Sequence, residues 1–362
     1  MTNKSLQDFV EEVNGESHLR IEHDFGDGFV RLRTSEAERR QAAQDIQCSE
    51  HIVLELLRNS RDAHASHIFL ATSKEGSKRT ITVIDDGDGI PSAMHAHVFE
   101  ARVTSKLDTS HMDDWGLHGR GMALFSIAQN AVSARIAESE LSLGCSMHIV
   151  TDTSSLPEKT DQSGFPRFEL VEGGNVNVRG PRNIIRTSCE FAIASRDSCE
   201  VYVGSPAEIA ATLYEYGKST LSAIDRAFCK DASSLPLTKR LAVASDPDDF
   251  ACIASSLGLD ISTRTSRRII DGQVSEAASL LDMIVISDAR DSVSNSPKKP
   301  SSSRAVRRIK LEKADKEAIA DAMKVAFEPL AKQYYLNPDV EAHVSISGGK
   351  LIVSIPLVND DA

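Results

Sequence analysis

Residues 55 to 63 read Glu-Leu-Leu-Arg-Asn-Ser-Arg-Asp-Ala, and this stretch governs how the rest of the chain is read. Glu55 and Asn59 stand four positions apart, so on a helix they project from one face. Ile46, Ile52, Val53, Leu56 and Leu57 recur at helical spacing and form an apolar stripe for a core. The spacing predicts a helix from about Ser35 to Ala63. Two further stretches follow in order. Asp85-Asp86-Gly87-Asp88-Gly89 comes after the strand-like Ile81-Thr82-Val83-Ile84. Gly116-Leu117-His118-Gly119-Arg120-Gly121 opens a helix expected over Arg120 to Asn130.

Working outward, Leu19 to Asp24 and Phe29 to Thr34 flank Gly26-Asp27-Gly28 as a hairpin with a glycine-permitted turn. His67 to Ser73 and Arg79 to Asp85 read as strands around Lys74-Glu75-Gly76-Ser77. Pro91 permits a short helix over Ser92 to Ala101. Further strands are expected at Ala131 to Ala137, Ser142 to Thr151, Arg167 to Val171, Asn183 to Thr187 and Glu190 to Ala194. Hairpins mixed with helices, rather than regular βαβ units, imply an α+β layer sandwich with a mixed sheet and a helical face. Residues 205 to 284 read as mostly helical, and a Ser-, Asp-, Lys- and Pro-rich linker begins at Asp288. The last segment reads as a helix, about Lys313 to Tyr335, then Ala342 to Ile346 and Leu351 to Ile355 around Gly348-Gly349. The resulting divisions are an extension over 1–35, a core domain over 36–200, a helical domain over 201–287, a linker over 288–307 and a C-terminal helix plus hairpin over 308–362.

A chain of 362 residues that is 41% hydrophobic has enough apolar side chain for a full core. It contains no apolar run of about 18 residues and no charged-then-apolar leader pattern, which predicts a cytoplasmic protein without a membrane span. The six cysteines form no Cys-x-x-Cys pair, as expected of reduced thiols rather than a zinc site or disulfide frame. A net charge of −12 excludes a wholly basic nucleic-acid coat and leaves room for local basic patches.

The three opening stretches carry the chemistry of an ATP site. A carboxylate at Glu55 is placed to orient and deprotonate a water attacking a γ-phosphate, and the Asn59 amide offers a neutral oxygen to Mg²⁺. Asp85, ending a strand, is an acceptor for the adenine amino group, with Gly87 and Gly89 leaving room for a flat base. Gly116, Gly119 and Gly121 let a helix start close on phosphate oxygens. Lys106 reads equally as a phosphate-facing cation and as a solvated lysine. Arg102 to Trp115 is long and polar enough to act as a lid. Taken singly, each residue also has an ordinary reading: an exposed Glu, a helix-end Asn, an Asp-Gly turn.

The ordered set resembles the GHKL superfamily of ATPases, which spans gyrase-type topoisomerases, a heat-shock chaperone class, sensor histidine kinases and MutL. Glu55 to Ala63 looks like the family's N box, Asp85 to Ile90 its adenine box and Gly116 to Gly121 its second glycine box. Thr104-Ser105-Lys106 followed by Gly119 to Ala128 is similar to MutL, and Ile90-Pro91 with Val98-Phe99-Glu100 is similar to the topoisomerase VI B subunit. The resemblance implies Glu55 as general base, Asn59 as Mg²⁺ ligand and Asp85 as adenine reader. It implies Gly116, Gly119 and Gly121 as the lid-and-phosphate loop, Thr104 and Lys106 as nucleotide contacts, and Asp62 as a helix-end acid near the base. ATP and Mg²⁺ are the implied cofactors, and an ATP-bound homodimer working with DNA and a nuclease or topoisomerase partner is the implied setting. Glu55 favours an ATPase over a histidine kinase.

Three departures accompany the resemblance. The family's Gly-Thr step before a later strand has Gly180-Pro181 as its nearest candidate. No lysine stands out as the one a second domain feeds to the γ-phosphate; Lys218, Lys230 and Lys239 are equal candidates. The chain also leaves no room for MutL's C-terminal dimerisation domain. In the second half, Ile253 to Asp260 resembles the first helix and turn of a helix-turn-helix, but Arg264 and Arg267 fall where packing is needed, so an ordinary helical hairpin is the competing reading. Lys298, Lys299, Arg304, Arg307, Arg308 and Lys310 make a basic run that suits either phosphate contacts or a solvated linker. An ATP-sensing module with negligible turnover remains the alternative to an ATPase.

Overall fold

The structure is a computed structural model of the whole chain. It describes residues 21–26, 28–105, 111–113, 116–118, 121–159, 161–170, 176–229, 231–284 and 286–288, and parts of the segment from 323 to 354. In chain order the elements are β1 (Ile21–Gly26), β2 (Phe29–Leu32), α1 (Glu36–Asp45), α2 (Ser49–Asp62), β3 (His67–Glu75), β4 (Lys78–Asp85), β5 (Val103–Thr104), β6 (His111–Asp113), β7 (Gly116–His118) and α3 (Ala123–Asn130). Then come β8 (Ser133–Glu140), β9 (Gly144–Asp152), β10 (Arg167–Leu170), β11 (Val176–Arg179), α4 (Ile184–Ala194) and β12 (Glu200–Gly204). They are followed by α5 (Pro206–Thr220), α6 (Ala223–Phe228), α7 (Pro247–Ser256), α8 (Thr263–Ile270), α9 (Leu280–Met283), β13 (Ile286–Asp288), β14 (His343–Ser347) and β15 (Lys350–Ser354).

The main sheet has the order β12-β3-β4-β9-β8. β12 runs parallel to β3 and the other pairs are antiparallel, which makes the sheet mixed. Side chains alternate across it. Ile68, Leu70, Ile81, Val83, Met147 and Ile149 join one core with Ile52, Val53, Leu56 and Leu57 of α2 and Ile184 and Phe191 of α4. Phe69, Ala71 and Ile84 join a second core with Ile209 and Leu213 of α5, Phe250 of α7 and Ile269 of α8. Both faces of β3 are therefore covered, which explains its unbroken apolar run Ile68-Phe69-Leu70-Ala71.

Local chemistry sets the helix starts. Ser35 caps α1 with a reciprocal Glu38, and Ser205 caps α5 with Glu208 and Pro206 at the first turn. The helix expected from Ser35 to Ala63 is two helices, broken at Ile46 to Cys48, where Ile46 takes an extended backbone. The two strands expected at Asn183 to Thr187 and Glu190 to Ala194 are one helix, α4. The Asn183 side chain accepts the Arg186 N–H at 2.9 Å, and Ile184, Ser188, Cys189, Phe191 and Ala192 are buried. That stripe has a helical period, and the cap decides the matter. Of the helix expected over Ser92 to Ala101, only a 3₁₀ turn at Ser92–Met94 forms, and the helix expected from Arg120 starts at Ala123.

The chain between Ile253 and Asp260 turns from α7 into α8, and the turn is docked rather than presented. Ser146 Oγ donates to the Leu257 carbonyl at 2.7 Å and Thr82 Oγ1 to that of Gly258 at 2.9 Å. Ser266 and Ile269 pack inward while Arg264 and Arg267 face outward. Contacts group residues 1–291 as one unit and 292–362 as a second. In the second unit, β14 and β15 form the expected antiparallel hairpin, with Ser347 opposite Lys350. The basic run from Lys298 to Lys310 and most of the helix expected over Lys313 to Tyr335 lie outside the described residues.

Candidate functional site

α2 is amphipathic in a way that sorts its residues by task. Ile52, Val53, Leu56 and Leu57 are at most 1% exposed and hold the helix to the sheet. The opposite stripe, Glu55, Asn59 and Asp62, lines a cleft of about 170 Å³ together with Asp85, Gly89, Thr104 and Gly121. Phe29, Ile90, Val98, Val103, Leu124 and Met147 give that cleft an apolar wall. An apolar pocket with a few converging polar groups is what a flat heteroaromatic ligand needs.

Asp85 sits at the end of β4 and is 5% exposed. Its Oδ2 accepts from the Ser60 hydroxyl at 2.7 Å and its Oδ1 from the Gly87 N–H at 3.0 Å. Burial pushes this carboxyl up to about 6, and the two donors hold it from going further. The neighbouring aspartates do different work. Asp86 accepts the Ser66 and His67 N–H groups at 2.8 Å each and pairs with His67 Nδ1 at 2.7 Å. Burial works against its charge, but the hydrogen bonds prevail and hold Asp86 below the usual carboxylate range; the same bond raises His67. Asp88 lies at the rim, 2.8 Å from His64 Nδ1. Sequence spacing cannot tell these three carboxylates apart; their burial and partners do.

Gly89 and Gly144 are required by geometry. Gly89 has φ +73° and Gly144 has φ +94°, and a Cβ at either would strike backbone, the Glu140 carbonyl in one case and the Asp85 carbonyl in the other. A Cβ at Gly87 would strike the Ala63 carbonyl, and Gly87 does not itself line the cleft.

Glu55 is held by Arg58, whose Nη1 donates to Oε1 at 2.6 Å. Asp62 accepts from Arg61 at 3.1 Å. The amide nitrogen assigned to Asn59 is buried without a hydrogen-bond partner, so that side chain has bonding capacity left for a ligand. Among the described residues no group of three or more His, Cys, Asp or Glu is arranged to hold a metal ion alone.

Of the residues singled out in the sequence, Glu55, Asn59, Asp62, Asp85, Gly89, Thr104 and Gly121 converge on this one cleft. Gly116 begins β7, paired with Asp113 of β6. Lys106 and Gly119 lie outside the described residues. Neither Lys218 nor Lys239 lines the cleft; Lys218 is tied to Glu215 at 2.8 Å, and Lys230 lies outside the described residues. Gly180-Pro181 precedes helix α4, not a strand, and lines no part of the cleft. The glycine that opens the strand beside Asp85 is Gly144, the first residue of β9, and Cys145 stands opposite Asp85 in the β4–β9 register and lines the cleft. Gly144 carries no local signal because its partner strand is distant in the chain, and a serine on a helix, such as Ser60, carries no signal of a tertiary bond.

Residues 46–160 match the family described as Histidine kinase-, DNA gyrase B-, and HSP90-like ATPase. Over 247 residues the chain is 26% identical to the DNA mismatch repair protein MutL of Clostridium beijerinckii, covering 65% of this chain and 36% of that protein. It is 38% identical over 98 residues to MutL of Lactiplantibacillus plantarum, 26% of this chain and 14% of that protein. A solved structure of full-length ShkA in complex with AMPPNP aligns over 52% of this chain and 42% of that one at 13% identity, with a TM-score of 0.23, too low to carry weight. The matched segment is a domain of the GHKL ATPase superfamily, and the chain is similar to MutL proteins. The chain spans little more than a third of the longest-matching of these curated relatives. Among the described residues no helix is long and apolar enough to cross a membrane.

Proposed function

We propose that this protein binds ATP in the cleft between α2, β4 and α3 and hydrolyses it, as a MutL-like and topoisomerase VI B-like member of its superfamily. The observation that carries the reading is the convergence of Glu55, Asn59 and Asp85 on one apolar-walled cleft, with Asp85 buried at its floor. The adenine amino group donates to Asp85, and the flat base lies against Ile90, Val98 and Met147. Asn59 would hold Mg²⁺ through its amide oxygen, and the ion would supply neutralisation of the phosphate charge. Glu55 orients a water and takes its proton. Thr104 and Gly121 flank the phosphates, with Lys106, Gly116 and Gly119 completing the loop. Asp62, tied to Arg61, keeps the end of α2 in place.

Lid closure over the bound nucleotide drives dimerisation, and hydrolysis reopens the clamp. The setting is DNA repair or DNA topology, in the cytoplasm, with DNA and a nuclease or topoisomerase partner. Support for the setting is the likeness to MutL, over 65% of this chain. Gel filtration with and without a non-hydrolysable ATP analogue, repeated with Asp85→Asn, tests the clamp. Dimerisation that needs both the analogue and Asp85 is the expected result; a monomer throughout points to an ATP-sensing module instead.

A further inference from the structure

The helix that presents Glu55 to the cleft also carries the group that restrains it. Arg58 lies one turn on, is 5% exposed and does not line the cleft. Its guanidinium Nη1 donates to Glu55 Oε1 at 2.6 Å, and the two side chains are 6% and 20% exposed. This differs from the usual pair along a helix, which sits in water and fixes little. A glutamate has three side-chain torsions, the last of them broad, so an unrestrained carboxylate wanders over distances that matter to proton transfer. A buried guanidinium has a planar fork and keeps its charge, which makes it suited to pinning one carboxylate oxygen.

We propose that Arg58 is a positioning residue for the hydrolytic step: it pins Glu55 Oε1 from behind the cleft so that Oε2 is turned toward the attacking water. The inference rests on the reading of Glu55 as the base. It has a practical corollary. Glu55→Ala removes a partner of a buried arginine and so perturbs folding as well as chemistry, whereas Glu55→Gln keeps an acceptor for Arg58.

Turnover under saturating Mg-ATP and affinity for a non-hydrolysable analogue are measured on the wild type, Arg58→Met, Arg58→Lys and Glu55→Gln, and on the double variant carrying both Arg58→Met and Glu55→Gln. Arg58→Met is expected to lower kcat by roughly 10- to 100-fold while the analogue Kd stays within about 3-fold. Arg58→Lys, which keeps the charge but not the fork, is expected to fall between the wild type and Arg58→Met. In the Glu55→Gln background Arg58→Met is expected to add nothing, because the group it positions is already disabled. Wild-type kcat in Arg58→Met overturns the proposal, as does a kcat loss equal in both backgrounds or one matched by an equal loss of affinity. Should Arg58→Met not fold, unchanged kcat in Arg58→Lys overturns it. No turnover by the wild type sinks the hydrolytic reading itself, while turnover that ignores Arg58 sinks only this role.

Discussion

The Ser60 hydroxyl donates to Asp85 Oδ2 at 2.7 Å, a bond between residues 25 apart in the chain that ties α2 to the end of β4 at the floor of the cleft. Both side chains are buried, and Asp85 accepts from the Ser60 hydroxyl, the Gly87 N–H and the Cys145 backbone. Ser60→Ala leaves Oδ2 short of a donor, which costs about 1–3 kcal/mol. The sign with pH follows from Asp85 being raised in the folded state. Its ionised form is disfavoured by folding, so the penalty is absent below the ordinary carboxylate range and fully present above about 6. Urea denaturation should therefore show Ser60→Ala losing more stability at neutral pH than at pH about 5.

Nucleotide affinity should follow the same titration. An ionised Asp85 is the stronger acceptor for the adenine amino group, and it forms as pH rises through about 6. Calorimetry with a non-hydrolysable ATP analogue should show binding tighten several-fold from acidic to neutral pH and then level off. Asp85→Asn should weaken binding and flatten that dependence.

Gly144→Ala and Gly272→Ala separate crowding from backbone strain. Both glycines have positive φ, +94° and +69°, but only at Gly144 does a new Cβ meet backbone, the Asp85 carbonyl. Thermal or urea unfolding should put Gly272→Ala at about 1 kcal/mol of destabilisation and Gly144→Ala at several kcal/mol. The Gly144 variant should also lose nucleotide binding, since the backbone it displaces carries Asp85.

Asn59→Ala should act on metal-dependent binding alone. Affinity for the analogue with Mg²⁺ is expected to drop by about tenfold, whereas adenosine binding without metal, which depends on Asp85, should be unchanged. Isothermal titration with and without Mg²⁺ checks both halves.

The mixed sheet, the helix bearing Glu55 and Asn59 and the Asp85 turn were legible in the sequence because each has a local signature: a helical stripe, a strand run, an Asp-x-Gly-x-Gly turn. Helix α4 was not, since Ile184, Ile185 and Phe191 favour strands and only the Asn183 cap and tertiary burial tip the balance. Tertiary relations were equally hidden. Which of Asp85, Asp86 and Asp88 is buried at the floor of the cleft depends on where β4 ends against α2. That Gly144-Cys145, rather than Gly180-Pro181, lies beside Asp85 depends on the pairing of β4 with β9.

Hydrolysis through Glu55 is tested most directly by phosphate release from wild type and Glu55→Gln under saturating Mg-ATP, with analogue affinity measured on both proteins. Mg²⁺-dependent turnover by the wild type is expected, and at least about 100-fold less by Glu55→Gln at an affinity within a few-fold. Equal turnover by the two proteins, or a wild type that binds no nucleotide, would contradict it.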